Sequence, residues 1–179
     1  MTDKFIAIEG VIGVGKTTLA RLLQSIFGGD VLLEQFEENP FLPKFYEDAD
    51  RYAFQTQIFF LLSRYHQLHD TKDCASLIAD YTLAKDQIFA HLTLKDEELA
   101  MYDRVHAALD LNLRQPDLVV YLRADHDEIM NRIALRDRHY ERDMDPDYIR
   151  NLTALYDAWL DNEHPYPIEV IDITDINYV

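Results

Sequence analysis

Phe5-Ile6-Ala7-Ile8 is an unbroken apolar run rich in β-branched and aromatic residues, the pattern of a strand buried on both faces. From Leu19 the spacing changes. Leu19, Leu22, Leu23 and Ile26 recur at helical intervals, predicting a helix over 16–27 that stops at Gly28-Gly29. The alternation then repeats. Val31-Leu32-Leu33-Glu34 reads as a strand, and Asn39-Pro40 as the cap and first-turn proline of a short helix through Phe45 and Tyr46. A longer helix over 51–69 carries Phe54, Ile58, Leu61, Leu62, Tyr65 and Leu68 as its apolar stripe, with Gln57 and Arg64 sharing another face. Further strands are predicted at 76–80, 117–122 and 167–173, and further helices over 85–91, 95–114, 125–136 and from Asp145-Pro146 towards Asn162. Strands alternating with helices predict an α/β fold, a parallel doubly wound sheet of five strands with helices on both faces. The pattern has no repeat and no linker, so residues 1–179 are expected to form a single domain.

Between the first strand and first helix lies Gly10-Val11-Ile12-Gly13-Val14-Gly15-Lys16-Thr17-Thr18, which contains G-x-x-x-x-G-K-[ST]. This is the phosphate-binding loop in the strand–loop–helix setting it requires. Its glycines let backbone N–H groups turn inward around a polyanion, and the helix N-terminus adds positive potential. Lys16 supplies a charge for the β- and γ-phosphates and Thr17 a hydroxyl for Mg²⁺. The expected ligand is ATP. Glu34 and Asp80 each end a predicted strand, and in a parallel α/β sheet ligands bind outside the carboxyl ends of the strands. Both carboxylates are therefore expected to face the crevice of the phosphate loop, one to accept a proton and the other to help hold the metal. An alternative is that they cap helices or solvate strand exits.

Composition narrows the partners. A formal charge of −16 argues against nucleic acid as a partner. Against that acidity, Arg132, Arg136 and Arg138 stand out as a cationic run after the fourth strand, the expected lid over ATP phosphates. Glu128, four residues before Arg132, would relieve part of the like-charge repulsion, so an ordinary solvated face is the bland alternative. Cys74 is the single cysteine and is expected to be a small buried residue. The seven histidines have no metal-ligand spacing. With no export signal and no membrane-length apolar run, a soluble cytoplasmic protein without a membrane partner is expected.

Four further segments add to the phosphate loop. They are Leu33-Glu34-Gln35-Phe36-Glu37-Glu38-Asn39-Pro40, Phe45-Tyr46-Glu47-Asp48, Ala53-Phe54-Gln55-Thr56-Gln57 through Ser63-Arg64, and Arg132-x-x-x-Arg136-x-Arg138-x-x-Glu141. In this order they resemble the deoxynucleoside kinases, whose members include deoxycytidine, deoxyadenosine and deoxyguanosine kinases. The resemblance runs from Phe5 to about Ile173 and implies a phosphate-loop kinase fold with an arginine-rich lid over 132–145. It implies Glu34 as the group taking the proton of the deoxyribose 5′-hydroxyl, and Tyr46 with Glu141 on the 3′-hydroxyl. Gln57 matches the residue that pairs with the base edge, and Arg64 with Asp86 a charged pair bordering it. Lys16, Arg132, Arg136 and Arg138 would stabilise the transferring phosphoryl group, and a homodimer is the implied assembly.

Two departures qualify it. Where the family commonly has acid-Arg-Ser after the third strand, this chain has Asp80-Tyr81-Thr82, so Lys85 or a lid arginine would have to replace the missing charge. The adenine-side loop, expected at 172–177, is not followed by a predicted closing helix. The reading is an ATP- and Mg²⁺-dependent kinase of a small-molecule deoxynucleoside, with purines favoured. Its rivals are a nucleoside monophosphate kinase and a nucleotide-gated switch. The first would want cations in an acceptor site that here offers Glu34, Glu37, Glu38, Tyr46 and Gln57.

Overall fold

In the computed structural model, residues 3–139, 141–142, 144–176 and 178 are described. In chain order the elements are β1 (Phe5–Gly10), α1 (Lys16–Phe27), β2 (Asp30–Leu32), α2 (Leu42–Glu47), α3 (Ala49–Asp70), β3 (Leu77–Ala79), α4 (Ala84–Thr93), α5 (Asp96–Asp110), β4 (Leu118–Arg123), α6 (His126–Arg136), α7 (Pro146–Leu160) and β5 (Ile168–Asp172). A 3₁₀ turn, Phe36–Glu38, precedes α2. The chain forms two compact units, one of residues 1–33, 74–82 and 115–179, the other of 34–73 and 83–114.

The first unit holds every strand. They lie in the order β2-β3-β1-β4-β5, with each neighbouring pair parallel. Strands without a polar face need cover on both sides, and the centre of the sheet has it: Ala7, Ile8, Ile78, Ala79 and Val119 are fully buried. Because all strands run the same way, β1 and β3 deliver the phosphate loop and Asp80 at the same end of adjacent strands. The second unit is helical. Its interior is built by Phe45 from α2, Leu61 and Leu68 from α3, Ile88 and Ala90 from α4, and Tyr102 from α5.

Several elements differ from expectation for identifiable reasons. The second helix begins at Leu42, with Pro43 in its first turn, rather than at Asn39-Pro40. Asn39 is instead a buried brace: its Oδ1 accepts from Phe41 N at 3.0 Å and its Nδ2 donates to Thr56 O at 3.1 Å. β2 ends at Leu32, whose carbonyl accepts from Asp80 N at 3.1 Å, so Leu33 and Glu34 lie beyond the sheet. α5 stops at Asp110 instead of reaching residue 114, and Asn112 Nδ2 donates back to Ala108 O at 3.2 Å in the turn that follows. On α3 the buried face is Ala53, Thr56, Gln57, Leu61, Arg64 and Leu68, whereas Leu62 is exposed. Gln57 and Arg64 therefore point into the unit, not along a face that the apolar residues leave open. Cys74 is half-buried.

Candidate active site

The phosphate loop is shaped by three glycines. Gly10, Gly13 and Gly15 have φ of +143°, +86° and +100°, all in territory that disfavours side chains. A Cβ on Gly10 would lie 2.6 Å from Leu122 O, and one on Gly13 2.7 Å from a side-chain carbon of Ile133. Val11 and Val14 are buried and anchor the loop from below. Gly15 is the N-cap of α1 and supplies no side-chain acceptor, which leaves the first N–H groups of the helix available to an anion. Lys16 Nζ reaches back over the loop to Gly10 O at 2.7 Å and Val11 O at 3.0 Å.

Thr17 Oγ1 donates to Asp80 Oδ2 at 2.5 Å, joining the start of α1 to the end of β3. Hydroxyl and carboxylate oxygens are the hard donors that Mg²⁺ accepts, and Mg²⁺ takes one or two protein oxygens while phosphate and water complete its shell. The Thr17–Asp80 pair fits that ion. A second link was not anticipated from sequence. Glu9, completely buried in β1, accepts from Thr82 N at 2.6 Å, Thr82 Oγ1 at 2.8 Å and Tyr156 Oη of α7 at 3.0 Å. It fixes Thr82, and with it the segment bearing Asp80, to the strand that launches the phosphate loop. A carboxylate inside the apolar run Phe5–Gly10 was the available signal.

The arginine run divides by position. Arg132, on α6, is buried; its Nε donates to Glu128 at 2.6 Å, and its other nitrogens donate to Val14 O at 3.3 Å, Ile173 O at 3.2 Å and Ile176 O at 2.9 Å. It ties the phosphate loop to the segment after β5. Tyr178 Oη donates to the same Val14 carbonyl at 3.3 Å. Arg136 closes α6 and pairs with Glu141 Oε2 at 2.5 Å, while Arg138 lies 3.5 Å from Glu141 Oε1. Glu141 is buried between them. Of the expected lid, Tyr140 and Asp143 lie outside the described residues, as does Asn177 of the expected adenine-side loop.

Of the expected acceptor residues, the second unit carries Glu34, Tyr46, Gln57, Arg64 and Asp86, and the first carries Glu141. Arg64 of α3 is buried and forked: Nη1 donates to Asp86 of α4 and Nη2 to Glu34. Lys85 Nζ donates to Glu34 Oε2 at 2.5 Å. Burial pushes the Glu34 carboxyl up, but the charges of Lys85 and then Arg64 outweigh it and hold the group well below the usual carboxylate range. Asp86 goes the other way. Its complete burial raises it to about 6 against the opposing charges of Arg64, His106 and Lys85. His106 is itself oriented by donating to Leu83 O at 3.0 Å. Gln57 Nε2 donates to Thr93 Oγ1 at 3.2 Å, while Gln57 Oε1 and Asp86 Oδ2 are buried without a hydrogen-bond partner among the described residues. Tyr46 is half-buried on α2, edge-on to Phe45. Lys85, one of the two cations the sequence offers in place of the missing arginine, is paired with Glu34.

A parallel sheet with a phosphate loop after its first strand, a threonine–aspartate pair beside it and an arginine run beyond the fourth strand defines a phosphate-loop phosphotransferase. The chain belongs to the deoxynucleoside kinase family, whose model, described as Deoxynucleoside kinase, matches residues 6–179. It is 39% identical over 162 residues to the deoxyguanosine kinase of Bacillus subtilis, across 88% of this chain and 78% of that one. It is 33% identical to the deoxyadenosine kinase of Dictyostelium discoideum, across 97% of this chain and 73% of the relative. Among solved structures, the deoxyadenosine kinase of M. mycoides with dCMP and dCDP bound superposes with a TM-score of 0.86 at 29% identity, covering 94% of this chain and 90% of that one. The chain is thus a kinase with a deoxynucleoside as acceptor and a nucleotide as donor, and the fold and family expected from its residues both hold.

Proposed function

We propose that the chain transfers the γ-phosphoryl group of Mg·ATP to the 5′-hydroxyl of a purine deoxynucleoside, with Glu34 as proton acceptor. The observation that carries this reading is the half-buried Glu34 carboxylate, paired with Lys85 and Arg64 and kept ionised by them. An ionised carboxylate among helices can take a proton from a hydroxyl; a protonated one cannot. Phosphoryl transfer asks the protein mainly for positioning and charge stabilisation. The glycine loop and the N-terminus of α1 would cradle the phosphates, and Lys16 would turn from the loop carbonyls towards them. Thr17 and Asp80 would hold Mg²⁺, which supplies neutralisation of phosphate charge. Arg136 and Arg138 would steady the transferring group, with Arg132 bracing the loop from behind. Tyr46 and Glu141 would receive the 3′-hydroxyl.

Base preference rests on acceptors. Gln57 Oε1 and Asp86 Oδ2 are buried oxygens without partners among the described residues, and such atoms favour a ligand edge that brings N–H donors. The ring N–H and exocyclic amine of guanine, or the amine of adenine, provide them. Thymine offers one ring N–H between two carbonyls. The B. subtilis relative is a deoxyguanosine kinase, and the M. mycoides kinase has been solved with dATP and with dCTP bound. Deoxyguanosine and deoxyadenosine are therefore the proposed substrates, with deoxycytidine next.

ADP release measured across the four deoxynucleosides and their monophosphates tests the reading. We expect turnover with the purine deoxynucleosides, and a loss of about 10²–10⁴-fold in Glu34→Gln with ATP binding retained. Turnover only with monophosphates, or near-normal turnover in Glu34→Gln, would overturn it.

A further inference from the structure

The acceptor cluster of the second unit contains two carboxylates, Glu34 and Asp86, and two cations, Arg64 and Lys85. Its connections are unequal. Arg64 is divided between both acids, while Lys85 directs its ammonium to Glu34 Oε2 at 2.5 Å. Lys85 is also placed where a lysine is costly. It lies in the first turn of α4, at the positive end of that helix, and it is only 5% exposed. Its Nζ lies 5.7 Å from the centre of the Phe89 ring, which fixes the side chain on one side. Without Lys85, one guanidinium would face two carboxylates, the half-buried Glu34 and the fully buried Asp86.

We propose that Lys85 is a positioning residue for the transfer step: its ammonium balances and aims the Glu34 carboxylate, leaving the second arm of Arg64 for Asp86 and the base edge. This rests on the reading of Glu34 as proton acceptor. The groups bearing on the pair are Arg64 from α3, Asp86 beside Lys85 on α4, and His106 and Tyr102 from α5, which bear on Asp86. Two of these groups, Glu34 and Asp86, can therefore produce an acid limb in the pH profile. They differ in where it shows. Loss of an ionised proton acceptor lowers the transfer rate in the bound complex, whereas a base-edge contact acts through KM.

The test is the single-turnover rate at saturating ATP and deoxyguanosine, and separately deoxyadenosine, followed against pH for wild type, Lys85→Met and Lys85→Arg. An opposite charge a few ångströms away displaces a carboxyl by about 1–3 pH units. The acid limb of the transfer rate should therefore lie about one unit or more higher in Lys85→Met than in wild type, whose Glu34 stays ionised across the ordinary working range. It should return towards wild type in Lys85→Arg. Lys85→Gln, which keeps a donor without the charge, gives the same readout should the methionine variant not fold. A limb that does not move, or one that moves only in kcat/KM, overturns the proposal. Near-normal turnover in Glu34→Gln removes the reading beneath it. Loss of turnover there with an unmoved limb in Lys85→Met removes the role of Lys85 alone.

Discussion

Arg64 is one guanidinium between two acids, and the two acids respond in opposite directions. Glu34 has Lys85 in addition and is held ionised; Asp86 is completely buried and rises to about 6 from an ordinary 3.8. The signs of their effects on stability follow from linkage. Between pH 3.8 and about 6 the folded protein keeps a proton on Asp86 that the unfolded chain has released. The stability attached to that proton is full below 3.8 and is lost as the pH rises through about 6. Glu34 behaves conversely, contributing above its ordinary 4.5 and losing that contribution as the pH falls. Asp86→Asn removes the first of these terms. Relative to wild type, its unfolding free energy should rise between pH 4 and 7 by up to about 3 kcal/mol, whatever constant offset the lost ion pair imposes. Urea unfolding of both proteins at a series of pH values reads this directly. A difference that stays flat across the window would mean that Asp86 is ionised throughout it.

α3 is the element where sequence pattern and structure part company. Phe54, Ile58, Phe59, Phe60, Leu61 and Leu62 place apolar side chains around much of its circumference, so periodicity alone could not identify the buried side. Leu61 is fully buried and Leu62 is 42% exposed. Leu61→Ala should cost about 2–5 kcal/mol and Leu62→Glu within about 0.5 kcal/mol of nothing, compared by chemical unfolding. Equal losses would show that both sides of the helix are packed. The strands and α1 were legible because their signals are local: an apolar run, a fixed loop motif, a glycine stop. Asp80, directly after β3, and the arginine run carry local signals too, whereas Glu34 lies two residues past the end of β2. Gln57 and Arg64 are buried on α3 rather than on a face the apolar stripe leaves free; a polar residue on a buried face looks like a solvated one until its partners are known. Lys85 and Glu9 depend on partners 51 and 73 residues away in the chain, and Arg132 reaches Val14 across 118. No spacing rule carries that information.

At the scale of the whole chain, the proposed site residues fall in two compact units. The phosphate loop, Asp80 and Arg132–Arg138 belong to the first; Glu34, Tyr46, Gln57, Arg64 and Asp86 belong to the second. Glu141 belongs to the first unit. Parts of a protein with their own cores can open as separate cooperative units, each with its own free energy, and a ligand slows opening only of the unit it binds. Amide hydrogen exchange should therefore separate donor from acceptor. A non-hydrolysable ATP analogue with Mg²⁺ should protect peptides spanning 10–18 and the helix after them, and leave 49–70 and 84–93 near their unliganded rates. Deoxyguanosine or deoxyadenosine alone should do the reverse. At a ligand concentration 100 times Kd the expected stabilisation is about 2.7 kcal/mol, close to a hundredfold slowing of exchange in the bound unit, so the contrast is large enough to read peptide by peptide. If either ligand slows exchange equally in both units, the chain opens as one cooperative body and the division of labour has no counterpart in its energetics. If the deoxynucleoside protects only the phosphate loop, the acceptor residues assigned to the second unit are wrong.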